Sequence, residues 1–288
     1  MLVLTISAPA KINLTLEVLG RRDDGYHEIR SVMQTISLCD TLSFEPAEEV
    51  YLRCAEPGLE SPENLALKAA SLLREVTQYP KGVRIRLVKS IPVTSGLGGG
   101  ASDAAATLKE INKIWETGLS FQELVQLAPR LSSDTAFFLY GGTALVESRG
   151  EKVSPLPPCP ATWLVLLMPP LPRMSSKTER LYGSLPASHF TQGQFADRAV
   201  ESLSQGQWAD PSLLFNVFES IAFDLFPGLD EYWRRFLEAG AASVYLAGSG
   251  PALFTLVKER AEAGRINHAL QQLGLKSYLA QTLVAVDE

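Results

Sequence analysis

Apolar residues recur at every second position from Leu2 to Val18, through Leu4, Ile6, Ala8, Ala10, Ile12, Leu14 and Leu16. A period of two predicts strand with one apolar face, and Pro9 interrupts it, so one or two strands are expected. The alternate positions Lys11, Asn13, Thr15 and Glu17 form a polar face. Same-face neighbours two apart lie roughly 7 Å from each other, so Lys11 and Asn13 can serve one site. The polar turn "RRDDGYHE" (Arg21–Glu28) follows, and strand-like text resumes to Phe44.

Helical spacing begins after "SPEN", where Ser61 ahead of Pro62 predicts a capped helix running to about Tyr79. Val83, Ile85 and Leu87 alternate with more polar residues in a strand ending near Ile91. Ala104, Leu108, Ile111 and Trp115 then mark one face of a helix starting near Ser102. "SFQE" (Ser120–Glu123) is a capping box for a further helix that ends by about Pro129. "SSDTAFFLYGG" predicts a turn, a short apolar segment and a glycine stop.

Prolines crowd the segment from Pro155 to Pro172 around the apolar run "TWLVLLM", predicting a boundary at Ser154–Pro160 and a strand at Thr162–Met168. Helices follow, then strand "SVYLA", turn "GSGP", strand "ALFTLV", a helix and a last strand "KSYLAQTLVAV" ending at Val286. That order is βαββαβ with extra helices, which predicts a split-βαβ sandwich for the second half of an α+β protein.

With 288 residues, 46% of them hydrophobic, the chain can bury one large core or two moderate ones. Its net charge of −6 offers no basic field for nucleic acid or an anionic membrane, so a phosphate-bearing ligand must be held by local groups. Cys39, Cys54 and Cys159 have neither metal-ligand nor redox spacing, and buried thiols are expected. The N-terminal apolar text lacks a basic leader and breaks at Pro9 and Lys11, far short of a membrane span, so a cytoplasmic protein is expected.

The candidate chemistry centres on "PVTSGLGGGASDAAATL" (Pro92–Leu108). Glycines before a helix N-terminus leave backbone N–H groups bare and let phosphate approach them, with the helix dipole adding a favourable field. A flexible linker fits poorly between a strand and a strongly patterned helix. A Walker loop requires Lys and Ser/Thr after its last glycine, whereas Ala101 and Ser102 follow Gly100. A dinucleotide turn is formally present in Gly96, Gly98 and Ala101, but "PVTS" separates it from the strand. The text about 20 residues on is also helical where that fold needs a strand. A dehydrogenase is therefore a distant alternative.

Three segments together resemble the GHMP kinases, the superfamily of galactokinase, homoserine kinase and mevalonate kinase. They are "APAKINLTLEV", the glycine stretch (similar to the family's P-x-x-x-G-L-x-S-S-x-A phosphate loop) and "AGSGPALF" (Ala247–Phe254). The A-K-I-N-L and D-G-Y-H text of "PAKINLTLEVLGRRDDGYHEIRSVMQTISLCD" and the triple glycine are most similar to members that phosphorylate a cytidyl-diphosphate-linked methylerythritol. Three places depart from the pattern: Ala101 replaces the loop's first serine, "SSDTAFF" replaces the usual G-A-D-V-P-F-F, and "MSSKTERLY" only loosely matches the region that contributes a second aromatic to the cytosine site.

The resemblance implies an N-terminal ATP-binding domain over 1–157, like domain 2 of ribosomal protein S5, and a ferredoxin-like C-terminal domain over 158–288. It implies ATP as donor with Mg²⁺, and CDP-methylerythritol as acceptor, in the non-mevalonate route to isoprenoid precursors. Another small alcohol, such as homoserine or mevalonate, or a catalytically idle nucleotide-binding protein, are the alternatives. Pro92, Val93, Thr94, Ser95, Gly96, Leu97, Gly98, Gly99, Gly100, Ala101 and Ser102 are the implied ATP site, with Ser102 capping the helix, holding Mg²⁺, or both. Lys11 and Asp134 are the implied catalytic pair, Asp134 accepting the proton of the attacking hydroxyl and Lys11 stabilising negative charge. Tyr26 is assigned to stacking on the cytosine and His27 to its edge, with Tyr182 or Phe190 as the second ring. Asn13 and the Gly248-Ser249-Gly250 turn are assigned to the methylerythritol end. No nucleic-acid or membrane partner is expected, and the assembly expected is a monomer or weak homodimer.

Overall fold

The structure, a computed structural model, describes residues 4–206 and 211–285. Leu2 and Val286, the outer ends of the first and last expected strands, lie outside the described residues. In chain order the elements are β1 (Leu4–Asn13), β2 (Thr15–Arg21), β3 (His27–Ala47), β4 (Tyr51–Cys54), α1 (Leu65–Thr77), β5 (Gly82–Val88), α2 (Gly99–Ile114), α3 (Phe121–Leu127) and α4 (Thr135–Tyr140). Next come β6 (Thr143–Ser148), β7 (Lys152–Pro155), β8 (Trp163–Met168), α5 (Lys177–Ser184), α6 (Gln194–Ser204) and β9 (Phe215–Asn216). The chain closes with α7 (Glu219–Leu225), α8 (Leu229–Glu238), β10 (Tyr245–Leu246), β11 (Leu253–Val257), α9 (Arg260–Gln272) and β12 (Lys276–Gln281).

Two compact units form, and their segments interleave along the chain. The first takes residues 4–10, Cys39–Val93 and Gly98–Tyr140; the second takes Lys11–Leu38, Thr94–Leu97 and 141–285. The units therefore do not divide at the proline-rich segment near residue 157. β6 and β7 precede that segment, yet β6 pairs with Ile29–Gln34 of β3 and so joins the second unit.

In the first unit, Thr41–Ala47 of β3 lies antiparallel to β5, and β4 lies parallel to β5 on its other side. β5 alternates buried Val83, Ile85 and Leu87 with exposed Arg84, Arg86 and Val88, as its period of two requires. Its apolar face and those of α1 and α2 supply a core that includes Phe44, Leu73, Ile85 and Leu108. Asn64, rather than Ser61, caps α1, its side chain accepting from Ala66 N at 2.9 Å. Ser61 instead closes the preceding turn, its carbonyl accepting from Asn64 N at 3.0 Å.

In the second unit, β8, β10, β11 and β12 form an antiparallel sheet in the order β10-β11-β8-β12. That is the split-βαβ order expected from the sequence, with "TWLVLLM" as an inner strand whose Leu164–Leu167 are wholly buried. A core of Val165, Leu167, Leu181, Phe218, Phe236, Leu253 and Ile266 lies against it.

The polar face of the N-terminal strands is buried as well as the apolar one. Lys11 and Asn13 are only 4% and 3% exposed, and Thr15 and Glu17 not at all. Hydrogen bonds make this tolerable. Asn13 Nδ2 donates to Ser31 Oγ (2.8 Å), Thr15 Oγ1 accepts from Val32 N (2.9 Å) and Glu17 accepts from Ala196 N (2.7 Å). Pro9 sits within β1, and the break between β1 and β2 falls at Leu14.

Candidate active site

Within the second unit three distant stretches of chain meet. Lys11 N donates to Leu97 O at 2.9 Å, and Ala252 N to Ser95 O at 3.2 Å. Gly96 has φ +91°, and a Cβ there would lie inside the envelope of Ala247 O and 2.9 Å from Gly250 N. Gly248 has φ +55°, and a Cβ there would lie 2.8 Å from Gly96 O, 3.0 Å from Lys11 Nζ and 3.1 Å from Asn13 Oδ1. Backbone meets backbone so closely that only glycine fits at either position. Lys11 Nζ donates to Asn13 Oδ1 at 2.7 Å, so the two residues do share one site. Lys11, Asn13, Gly96, Gly248 and Gly250 are thus brought together.

Further side chains, missed by sequence reasoning, hold this cluster. Asn216 Nδ2 donates to the carbonyls of Leu246 (2.9 Å) and Gly248 (2.8 Å), while Glu219 accepts from Leu246 N (2.8 Å). Burial pushes the Glu219 carboxyl up to about 7. Lys177 donates to Thr94 O (3.0 Å) and to Gly250 O, and burial followed by the charge of Lys11 pushes its amine down to about 7. A lone Asn, Glu or Lys in helix-like text carries no sequence signal for such a role.

In the first unit, α2 begins at Gly99, three residues earlier than expected, with Gly98 (φ +73°) at the N-cap and no side-chain cap. The triple glycine is therefore partly the first helical turn itself, whose leading N–H groups have no intrahelical partner. Ser102 does not cap the helix; the cap position is Gly98, and Ser102 lies one turn inside. It is 1% exposed, and its Oγ has no hydrogen-bond partner. Below the turn Lys89 bridges Asp40 and Asp103, the latter at 2.8 Å, and Asp40 also accepts from Ser90 N and Ile91 N. Asp134, half-buried, immediately precedes α4, its carbonyl accepting from Phe138 N at 3.4 Å.

The residues predicted for the cytosine lie in the second unit. Tyr26 is 54% exposed, with the Arg149 guanidinium 4.7 Å from its ring centroid. His27 stacks on Tyr182 (5.0 Å between centroids, 28°) and meets Phe190 edge-on (6.0 Å, 78°). Its Nε2 is buried without a partner, and burial, then Arg21, lowers its pKa. Among the described residues no group of three or more His, Cys, Asp or Glu is arranged to hold a metal, and no helix is long and apolar enough to cross a membrane. A depression of about 650 Å³ lined by Glu49, Arg74, Glu75 and Tyr79 contains none of the predicted site residues.

A glycine loop held against a buried lysine and a second glycine turn in the second unit, and a glycine-led helix with a bare N-terminus in the first, are each features that a small-molecule kinase uses. The family models agree: residues 64–142 match the GHMP kinases N terminal domain and 198–275 the GHMP kinases C terminal domain. The chain belongs to the GHMP kinases. It is 47% identical over 285 residues to the 4-diphosphocytidyl-2-C-methyl-D-erythritol kinase of Dehalococcoides mccartyi, covering 99% of this chain and 100% of that one. To the enzyme of the same name from Symbiobacterium thermophilum it is 41% identical, covering 97% and 99%. A crystal structure of 4-(cytidine 5'-diphospho)-2C-methyl-D-erythritol kinase superimposes with a TM-score of 0.81 at 35% identity, covering 97% of this chain and 99% of that one.

Proposed function

We propose that this chain transfers the γ-phosphate of ATP to the 2-hydroxyl of 4-diphosphocytidyl-2-C-methyl-D-erythritol. Full-length likeness to kinases of that name supports the acceptor. The observation that carries the chemistry is the meeting of Lys11, Asn13, Gly96 and Gly248 in one cluster. Phosphoryl transfer asks chiefly for positioning and for stabilisation of charge spread over the transferred group.

In this reading the loop from Pro92 to Ser102 receives the phosphates of ATP on its bare N–H groups. Asp134 accepts the proton of the attacking hydroxyl late in the transfer, since a carboxylate is a weak base for an alcohol. Lys11 stabilises negative charge on the reacting oxygens, and Asn13 with the Gly248-Ser249-Gly250 turn holds the methylerythritol end. Mg²⁺ accompanying ATP would supply neutralisation of phosphate charge. The buried, unpartnered Ser102 Oγ is a hard oxygen suited to it. Tyr26 and His27 take the cytosine, and the orphaned Nε2 of His27 supports a hydrogen bond to the base edge, with Tyr182 face-on behind the imidazole. The family-domain boundary at 157/158, a cytoplasmic location and a monomer or weak homodimer complete the proposal.

A coupled ADP-release assay with Mg-ATP tests it, comparing the cytidyl-diphosphate acceptor with homoserine, mevalonate and galactose. Turnover with the first alone is expected. Turnover with another alcohol instead would remove the cytosine assignment of Tyr26 and His27, and silence with all four in protein that binds ATP would leave an idle nucleotide-binding scaffold.

A further inference from the structure

Lys177 opens α5, and its side chain is buried. Burying a lysine sacrifices hydration and the rotamer freedom of a long side chain, and the charge is ordinarily settled by a carboxylate. Here Nζ donates to two backbone carbonyls, Thr94 O at 3.0 Å and Gly250 O. The charge that bears on it is a like one, Lys11. A methionine would fill similar volume without those costs, so packing alone does not account for a lysine.

Its two partners belong to the two glycine segments of the site. Thr94 has φ +58° and leads into Gly96; Gly250 closes the turn that begins at Gly248. The segments already touch through Ala252 N to Ser95 O (3.2 Å) and through the close approach of Gly96 to Ala247 O and Gly250 N. Gly248 in turn stands against Lys11 Nζ and Asn13 Oδ1. A change in the separation of Thr94 and Gly250 is therefore passed directly to Lys11.

We propose that Lys177 is a positioning residue for phosphoryl transfer, tying the carbonyls of Thr94 and Gly250 so that the phosphate loop and the glycine turn hold Lys11 in register with the reacting groups. This rests on the kinase reading above. The neighbouring amines of Lys11 and Lys177, set beside a loop of the phosphate-binding type, also find in an anionic phosphate the counter-charge that Lys177's own partners do not supply.

The test is steady-state kinetics and thermal unfolding of wild type, Lys177→Met, Lys177→Arg and Lys11→Met, with Mg-ATP and the cytidyl-diphosphate acceptor, assayed well below every melting midpoint. A loosened register costs roughly 10²-fold in kcat for Lys177→Met. KM for both substrates is expected to stay within about threefold, because ground-state binding needs less exact placement than transfer. Lys177→Arg, which keeps charge and donors on a longer fork, is expected to melt with wild type and still lose kcat. Wild-type kcat in folded Lys177→Met overturns the proposal, as does a loss that merely tracks the folded fraction. Should the methionine variant not fold, the arginine variant decides: lowered kcat at an unchanged melting midpoint supports positioning, and full kcat or failure to fold overturns it. Full activity in Lys177→Met beside a dead Lys11→Met removes the positioning role and leaves the kinase reading standing. An active Lys11→Met, or a silent wild type, sinks the kinase reading and this proposal with it.

Discussion

Gly96 and Ala247 approach so closely that a Cβ on Gly96 would overlap the Ala247 carbonyl oxygen. Two motifs far apart in the chain are thus locked backbone against backbone, and φ +91° at Gly96 adds a conformation that L side chains rarely adopt. Gly96→Ala is expected to lose at least about 1–3 kcal/mol of stability from strain alone. Because relief of the overlap separates the phosphate loop from the glycine turn, kcat should fall more than the folded fraction does. Urea unfolding and kinetics on one preparation check both, and a variant of wild-type stability would contradict the close approach.

Lys11→Met preserves most of the buried volume while removing the charge; it is expected to cost roughly 10²–10³-fold in kcat, the size of a lost charge-stabilising group. Asp134→Asn should cost roughly 10²–10⁴-fold, the usual range for a general base. Melting curves must show both variants folded. A kcat for Asp134→Asn within a few-fold of wild type would assign the proton to another acceptor.

Ser102 separates stability from function. Its Oγ is buried and unpartnered, so Ser102→Ala removes an unsatisfied hydroxyl and should leave the melting midpoint unchanged or slightly raised. If that oxygen serves Mg²⁺, the magnesium needed for half-maximal rate should rise roughly 10-fold. Identical magnesium titrations for the two proteins would end the metal role of Ser102.

Lys89 bridges two aspartates that differ in support. Asp40 accepts from Lys89, Ser90 N and Ile91 N, whereas Asp103 Oδ1 has no partner. Asp40→Asn breaks a buried pair and is expected to cost about 3–5 kcal/mol. Asp103 behaves differently, because burial, with Asp40 adding to it, pushes its carboxyl up to about 7 from 3.8. Between those values the native state holds more protons than the unfolded one, so wild type loses stability as pH rises through the window. Asparagine has no such proton to lose. Asp103→Asn should therefore gain on wild type from about pH 4 to pH 7 and level off above. Chemical denaturation of both proteins across that range checks the sign; a difference that shrinks with rising pH would refute it.

The local patterns were readable because they follow backbone geometry. Alternation placed β1, β2 and β5, the proline-bounded apolar run placed β8, the box at Ser120 capped α3, and the βαββαβ order led to the sheet order β10-β11-β8-β12. The glycine loop, Lys11 with Asn13, and the Gly248 turn were recognisable as motifs. Alternation showed a polar face but not its burial, since Thr15 and Glu17 are wholly buried by partners at Val32 and Ala196 that no local pattern reveals. The start of α2 was set too late because glycine lowers helix propensity, and only the N-cap geometry at Gly98 shows the turn already wound.

By itself, then, the amino-acid sequence determined the succession of strands and helices, the kinase family and the glycine segments that must approach something closely. Tertiary structure alone decided what they approach: Gly96 against Ala247, Gly248 against Lys11, and Lys177 across Thr94 and Gly250. The physical reason is range. Periodicity and capping are settled by neighbours within a turn or two, whereas these contacts join residues far apart in the chain. They form only once the sheets and cores have brought the backbones together.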